Sequence, residues 1–386
     1  MTRTSTSPRT HSSPRRLAVI IAFAVFALLQ PHSALASETE PLDTPPCCHP
    51  QSRWAVVAPA APAAGEAPRV AVERSAAGAR VTIDGELMTE YLVDTARQPA
   101  MWPLIGPLGQ RLTRSYPLGE RQELEQEDHP HHCSLWFAHG GVRKADGPGD
   151  WKDYWHINAQ KPSNEQIKHR EFTRIETLPG HAVVETENDW MTGESRLLAD
   201  RRTLAFGVSG EGADTVRWID ATIRLTATDG AVEFQDTKEG SFGVRVAGAM
   251  KLDANLGGRV LNSRQQKDAA AWGQPAEWVD YSGPIDSSGT QGGVTILTHP
   301  DSFRPVCRWH VRGYGLFAAN PFGKAQFPPG EPAQGAVTLA DGEALTLRYL
   351  IVLHNGDATA KQIDAWRQAY SENGPGLANE LSGDKL

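Results

Sequence analysis

Asp128, His129, His131, His132 and His139 fall within one short stretch of a chain that carries only 13 histidines. Imidazole titrates near neutrality, so such a stretch offers general acids, general bases or metal ligands. Pro130 fixes its own φ and biases His129 toward extended geometry. An extended segment puts His129 and His131 on one face and His132 on the other, so that one face lines a cleft and the other braces it. The competing reading makes some of these rings core or supporting groups. His-x-His on a strand is also a common metal-ligand pair, to which Asp128 or His139 could add. A downstream Glu that would complete such a site is absent, since Leu135 and Trp136 stand there. Asp128, His129, His131 and His139 are the candidate ligands, with a divalent metal left open and no element preferred.

Two further clusters supply partners. Asp236-Thr237-Lys238-Glu239-Gly240 follows a strand ending at Phe234 and continues through Ser241-Phe242-Gly243-Val244-Arg245. Its glycines frame a turn that exposes Glu239. Arg308-Trp309-His310, Arg312-Gly313-Tyr314-Gly315 and Asn320-Pro321-Phe322-Gly323 form a polar and aromatic mixture suited to a sugar. These residues sort into roles. His131 and Glu239 form the acid–base pair, with His129 and His310 beside them. His132, Trp136, His139, Lys238, Arg245, Arg312 and Asn320 bind substrate. His129, His131, His139, Glu239 and His310 are expected to converge at an end of the scaffold, where loops assemble sites. Trp102, Trp136, Trp151, Trp155, Trp190, Trp272 and Trp278 lie in or beside Gly/Pro-rich loops, where indoles stack on sugar rings. Core filling is the alternative for most of them.

The elements that must hold these groups read as strands. Val70–Arg74 and Arg80–Ile83 flank Ala77-Gly78, a predicted hairpin. From Val216 to Thr228 the apolar Ile219, Ala221, Ile223, Leu225 and Ala227 alternate with Asp220, Thr222, Arg224, Thr226 and Thr228, which places the first set in the core and the second toward solvent. Further strands are expected at 167–177, 181–188, 195–208, 231–236, 294–298, 306–311 and 344–353. One helix is expected at 360–371, with Ile363, Trp366 and Tyr370 on its apolar face. Many strands in series and a single helix predict a mainly β chain, a large antiparallel β-sandwich spanning residues 69–371, followed by a flexible tail over 372–386.

The start of the chain is of a different kind. Arg3, Arg9, Arg15 and Arg16 precede an unbroken apolar run from Leu17 to Leu29, and Ala34-Leu35-Ala36 offers a cleavage site before Ser37. Residues 1–36 are therefore read as a signal peptide and the protein as exported, to the periplasm or beyond. Residues 37–68 are Pro- and Ala-rich and read as a linker. The signal carries four Arg and no acid, so its removal takes the formal charge from −8 to −12. An acidic chain without a Lys/Arg cluster is a poor partner for nucleic acid or anionic membrane. Cys47 and Cys48 are adjacent and Cys133 and Cys307 far apart. A Cys133–Cys307 bond is open, but no C-x-x-C metal spacing exists.

Pro103-Leu104-Ile105-Gly106-Pro107-Leu108-Gly109, Asp128-His129-Pro130-His131-His132, Leu135-Trp136-Phe137-Ala138-His139-Gly140, the string from Asp236 to Arg245, Trp278-Val279-Asp280-Tyr281, Tyr314-Gly315 and Asn320-Pro321-Phe322 together resemble a family of uncharacterised bacterial proteins. That family is labelled "methane oxygenase PmoA" or DUF6807, and the likeness covers roughly residues 85–355. Cys133 departs from it, standing where the family pattern has Arg. The resemblance implies a sandwich similar to galactose-mutarotase-like folds and a place in carbohydrate metabolism. The oxygenase label does not suit this chain, because no segment after residue 36 approaches the ~20 apolar residues of a membrane span. Two functions stand. One is a carbohydrate-active enzyme of epimerase, lyase or hydrolase type, using histidine and carboxylate acid–base chemistry. The other is a non-catalytic module binding a glycan or a metal.

Overall fold

A computed structural model describes residues 70–95, 97–147, 149–161, 163–330 and 334–373. The signal segment, the linker with Cys47 and Cys48, and the tail beyond Asn373 lie outside these residues. Among the described residues the strands form three antiparallel sheets, of nine, eight and three strands. The nine-stranded sheet runs from the hairpin Val70–Arg74 and Gly78–Ile83, through Leu135–His139, Gly240–Arg245 and Leu316–Asn320, to Cys307–Trp309 and Pro275–Ala276. The eight-stranded sheet is built from the long hairpins Glu165–Leu178, His181–Thr192 and Ser195–Ser209, with Val216–Thr226, Ala344–Asn355 and Gln291–Thr298 beside them.

The main core joins the two large sheets. Ile219, Ala221, Ile223 and Leu225 enter it as the period-2 pattern requires. The opposite face of that strand is only partly solvated, against expectation. Arg224 is exposed, but Asp220 is buried and accepts a hydrogen bond from the Tyr370 hydroxyl at 3.1 Å. The cause is the helix Ala360–Asn373, which lies over this end of the sheet. Ile363, Trp366 and Tyr370 form a second core with Trp218, Trp278, Leu297, Leu350 and Val352. Burial of a side chain such as Ile363 contributes roughly 1.5–3 kcal/mol, which holds the helix in place. Thr359 and Gln362 cap its start reciprocally, backbone amide to side-chain oxygen, at 3.0 and 3.3 Å. No helix among the described residues is long and apolar enough to cross a membrane.

Cys133 and Cys307 are separate, buried free thiols, so they do not pair. Burial pushes them up to about 11 and about 12. The tryptophans mostly fill space: Trp136, Trp155, Trp190 and Trp278 are fully buried, whereas Trp102, Trp151 and Trp272 keep some exposure. The loops around them are covered by neighbouring elements, and local composition does not reveal that covering.

Candidate functional site

In the nine-stranded sheet Leu135–His139, Gly240–Arg245 and Leu316–Asn320 are neighbours. Phe137 and Phe242 face each other in register and point into the core, against Trp190 and Tyr349 of the other large sheet. Alternation then sends Trp136, Gly243 and Arg245 to the outward face. Residues 128–134, 151–157, 236–239 and 310–315 gather over that face. The expected site at an end of the sandwich is instead spread over the face of a sheet.

The histidine segment is not extended. His129 has φ +43° and the chain turns, with the His132 amide donating to the His129 carbonyl at 3.0 Å. Arg114 forces the turn from the inside. Its guanidinium donates to the carbonyls of Gln126, Asp128 and His129 at 3.1, 2.9 and 2.9 Å and pairs with the Asp128 carboxylate at 2.5 Å. Arg245 binds the same carboxylate at 2.7 Å and donates to His132 Nδ1 at 3.0 Å. His132 therefore carries its proton on Nε2, an assignment made from the partner. It is fully buried against Trp136 and cannot touch a substrate. Burial opposes ionisation of Asp128, but the bond from His129 and the charges of Arg245 and Arg114 hold it well below the usual carboxylate range.

Four expected substrate contacts prove to be supports. Trp136 faces outward but is roofed by His132 and Trp155. Arg245 is consumed by Asp128 and His132. Asn320 is buried, donating to the Thr237 carbonyl at 2.9 Å and accepting from the amides of Phe322 and Gly323. His139 shares its parity with Phe137 and so points inward, between Phe234 and Phe322, with Nε2 at 2.9 Å from the Gln235 carbonyl. Burial pulls it down to about 4. With His139 turned away and Asp128 ion-paired, the proposed ligand set disperses. Among the described residues no group of three His, Cys, Asp or Glu could hold a metal ion.

What remains is a compact polar site. The string before Glu239 is pinned by Asp236, which accepts from the amides of Lys324, Ala325 and Gly335 at 2.6, 2.9 and 2.8 Å. Gly140 makes room, since a Cβ there would stand 2.6 Å from Glu239 Cβ. Glu239 projects beside its ion-pair partner Lys238, with Oε2 at 4.0 Å from both His156 Nε2 and His310 Nδ1. His310 donates from Nδ1 to the Lys238 carbonyl at 2.9 Å and accepts at Nε2 from Arg312 Nε at 3.0 Å. Both nitrogens are occupied, and burial with Arg312 alongside pulls the ring down to about 3. His310 thus positions Glu239 and Arg312 rather than exchanging protons.

His131 keeps a near-buried ring with no protein hydrogen bond to either nitrogen among the described residues. It stands 4.7 Å from the His156 ring and 5.8 Å from that of His129, centroid to centroid. Burial, then the His156 and His129 charges, pulls it down to about 2, so it is neutral near pH 7 and a weak base. The two outer rings are better placed. His129 is 41% exposed, stacks on Tyr314 at 4.8 Å, and has Nδ1 at 2.9 Å from Asp128. His156 is 46% exposed with Nδ1 at 2.7 Å from Asp153. Burial works against its proton, but the bond to Asp153, that carboxylate's charge and then Glu239 raise it above the ordinary imidazole value.

Each outer imidazole is therefore oriented by an aspartate, and its Nε2 has no hydrogen bond among the described residues. Asp153 and His156 escaped the sequence reading, which weighed Trp151 and Trp155 in the same loop for stacking or core filling. The Asp-x-x-His spacing was the available signal, because Asp153 also caps the turn through the amides of Trp155 and His156 at 3.0 and 3.1 Å.

The model of a family of unknown function, DUF6807, matches residues 78–367. No curated protein matches the chain. Among solved structures it is similar to a polysaccharide lyase (11% identity, TM-score 0.28, 76% of this chain and 34% of that one). It is also similar to a GH36 α-galactosidase from Geobacillus stearothermophilus in complex with raffinose (10%, 0.36, 77% and 42%). A third is a galactose mutarotase-like protein from Clostridium acetobutylicum (11%, 0.33, 75% and 99%). The chain thus spans well under half the length of the first two.

Proposed function

We propose that this chain, which belongs to the DUF6807 family, is an exported acid–base enzyme that moves protons on a sugar. The observation that carries the reading is the pair of aspartate-backed imidazoles, Asp128–His129 and Asp153–His156, on either side of His131, with the Glu239 carboxylate 4.0 Å from His156. An aspartate on Nδ1 fixes the tautomer and orientation of an imidazole and leaves Nε2 for a substrate. Epimerisation or elimination needs a base on one side of the ring and an acid on the other. In this reading His129 takes a proton, and His156, protonated to higher pH than an ordinary histidine, returns one. Glu239 steadies the imidazolium and accepts from a sugar hydroxyl, while neutral His131 holds another hydroxyl between them.

The non-catalytic glycan module has less in its favour. An open aromatic platform is its natural form, but Trp272 carries the Arg312 guanidinium 3.7 Å above its ring, and Tyr314 is flanked by His129 and Arg245. The test is solvent-deuterium incorporation into carbon positions of neutral and acidic sugars incubated with the mature protein in D₂O. Glu239→Gln, nearly isosteric at a part-buried position, should lower the exchange rate about 10²–10³-fold, as for loss of a group that stabilises developing charge, with little loss of stability. Exchange unaffected by Glu239→Gln, or no exchange on any sugar, would remove the acid–base reading.

A further inference from the structure

Most charges within the site are matched. Lys238 and Glu239 neutralise each other, as do Asp153 and a protonated His156. Asp128 faces Arg114 and Arg245, and the buried Glu125 beside Arg114 offsets the second of these positive charges. Lys251 has Asp253 alongside, and its ammonium is spent on the Leu124 carbonyl at 2.8 Å. The orphaned polar atoms below the site are of both kinds: the indole N–H groups of Trp136 and Trp155 and the Arg114 Nε are donors, and Gln98 Oε1, beside His131, is an acceptor. They are too deep to touch a ligand.

Arg312 is the exception to that balance. Its Nε is tied to His310 Nε2 at 3.0 Å and its plane lies 3.7 Å over Trp272, so the guanidinium is held in one orientation. Neither terminal amino group has a protein acceptor among the described residues, and no carboxylate pairs with it. A fixed, half-buried guanidinium with its fork unused is a receptor for a planar oxyanion, which it binds through two parallel hydrogen bonds. One imidazole ring, that of His310, separates it from Glu239.

Building on the acid–base reading above, we propose that the substrate is a sugar acid, a uronate, whose carboxylate is held by Arg312. The chemistry of the neighbouring groups suits this choice. A carboxylate next to the reacting carbon makes its C–H bond acidic. When His129 takes that proton, the electron pair passes into the carboxylate, where Arg312 stabilises the added charge. The pair then returns. In epimerisation a new C–H bond forms with the proton of His156. In elimination a C=C bond forms, the adjacent C–O bond breaks, and that proton goes to the departing oxygen. A phosphate or sulfate ester would satisfy the guanidinium equally but would not acidify the C–H bond.

The test uses the mature protein with D-glucuronate, D-galacturonate, D-glucose and D-glucose 6-phosphate at matched ionic strength, with binding read by calorimetry or ligand-observed NMR. The uronates should bind about tenfold or more tightly than glucose, consistent with a charge-assisted bidentate contact. Arg312→Gln should bring that ratio near unity. Arg312→Lys, which keeps the charge and loses the fork, should restore only part of it. A wild-type ratio near unity, a ratio that survives Arg312→Gln, or tighter binding of the phosphate ester would each overturn the assignment. Failure of the two readings is distinguishable. Uronates bound through Arg312 without proton exchange would remove the acid–base role and keep the anion site. Exchange on glucose that depends on Glu239 and not on Arg312 would do the reverse.

Discussion

Replacing Asp153 with Asn removes one charge from the site and keeps the turn that carries His156. An amide oxygen can accept from the Trp155 and His156 amides as Asp153 Oδ1 does at 3.0 and 3.1 Å. The other carboxylate oxygen becomes a donor facing His156 Nδ1, which turns the neutral ring to the Nε2–H tautomer. The Nδ1···Oδ2 distance of 2.7 Å puts the two charges at short range. At about 4 Å between charge centres their attraction is about 1 kcal/mol in water and about 4 kcal/mol at an effective dielectric of 20. Both side chains are nearly half exposed, 46% and 47%, so the lower figure governs. The variant should therefore titrate His156 lower than the parent does. An NMR titration of the His156 Cε1–H signal reads this directly. The alkaline limb of the deuterium-exchange profile should move down by the same amount, because the acid form is lost sooner. The stability signature has a definite sign. A proton bound more tightly in the folded chain stabilises it fully below the unfolded value of about 6.5 and ceases to do so as pH rises through the higher folded value. The variant should thus lose about 0.2–1 kcal/mol at pH 5.5 and nothing at pH 9. A His156 titration left in place by Asp153→Asn, or moved upward, would refute the reasoning.

Asp220 lies under Tyr370 with one oxygen unpartnered, and burial pushes its carboxyl up to about 6. Here the folded chain holds the proton more tightly than the unfolded one, so stability falls as pH rises from about 4 to 6, by up to about 3 kcal/mol. Asp220→Asn should raise Tm at pH 7 and change it little at pH 3.5, and an equal effect at both would show that the carboxylate is not strained. Trp136→Ala should lower stability by about 3–5 kcal/mol, as expected for a buried indole. A variant with unchanged Tm and lost sugar binding would instead make Trp136 a wall of the site. Protein extracted from the cell envelope should begin at Ser37, and a chain beginning at Met1 and retained in the membrane would contradict the signal-peptide reading.

The strands were legible because alternation is local. Ile219, Ala221, Ile223 and Leu225 face one core whatever the rest of the chain does. Ile363, Trp366 and Tyr370 likewise announce a helix with one buried face. Leu135–His139 carried no such signal, since every residue in it is buried and its string lacks alternation. Without the strand, the opposite parity of Trp136 and His139 could not be seen, and both entered the predicted site. The turn at His129 was equally hidden. Arg114, a residue not singled out in the sequence, imposes it through three carbonyls.

From sequence alone the chain is mainly β, and the chemically equipped segments are those around His131, Glu239 and His310. Residue type and short-range spacing carry that information, because strand periodicity, turn glycines and imidazole chemistry all act within a few residues. Which of these groups meet, and which end up neutral, buried or paired, was decided by the tertiary structure. Glu239 stands 4.0 Å from His156 and His310 only because three strands pair side by side in one sheet. His131 gives up its basicity and Arg312 keeps an unused fork because burial and the charges of distant segments set those properties.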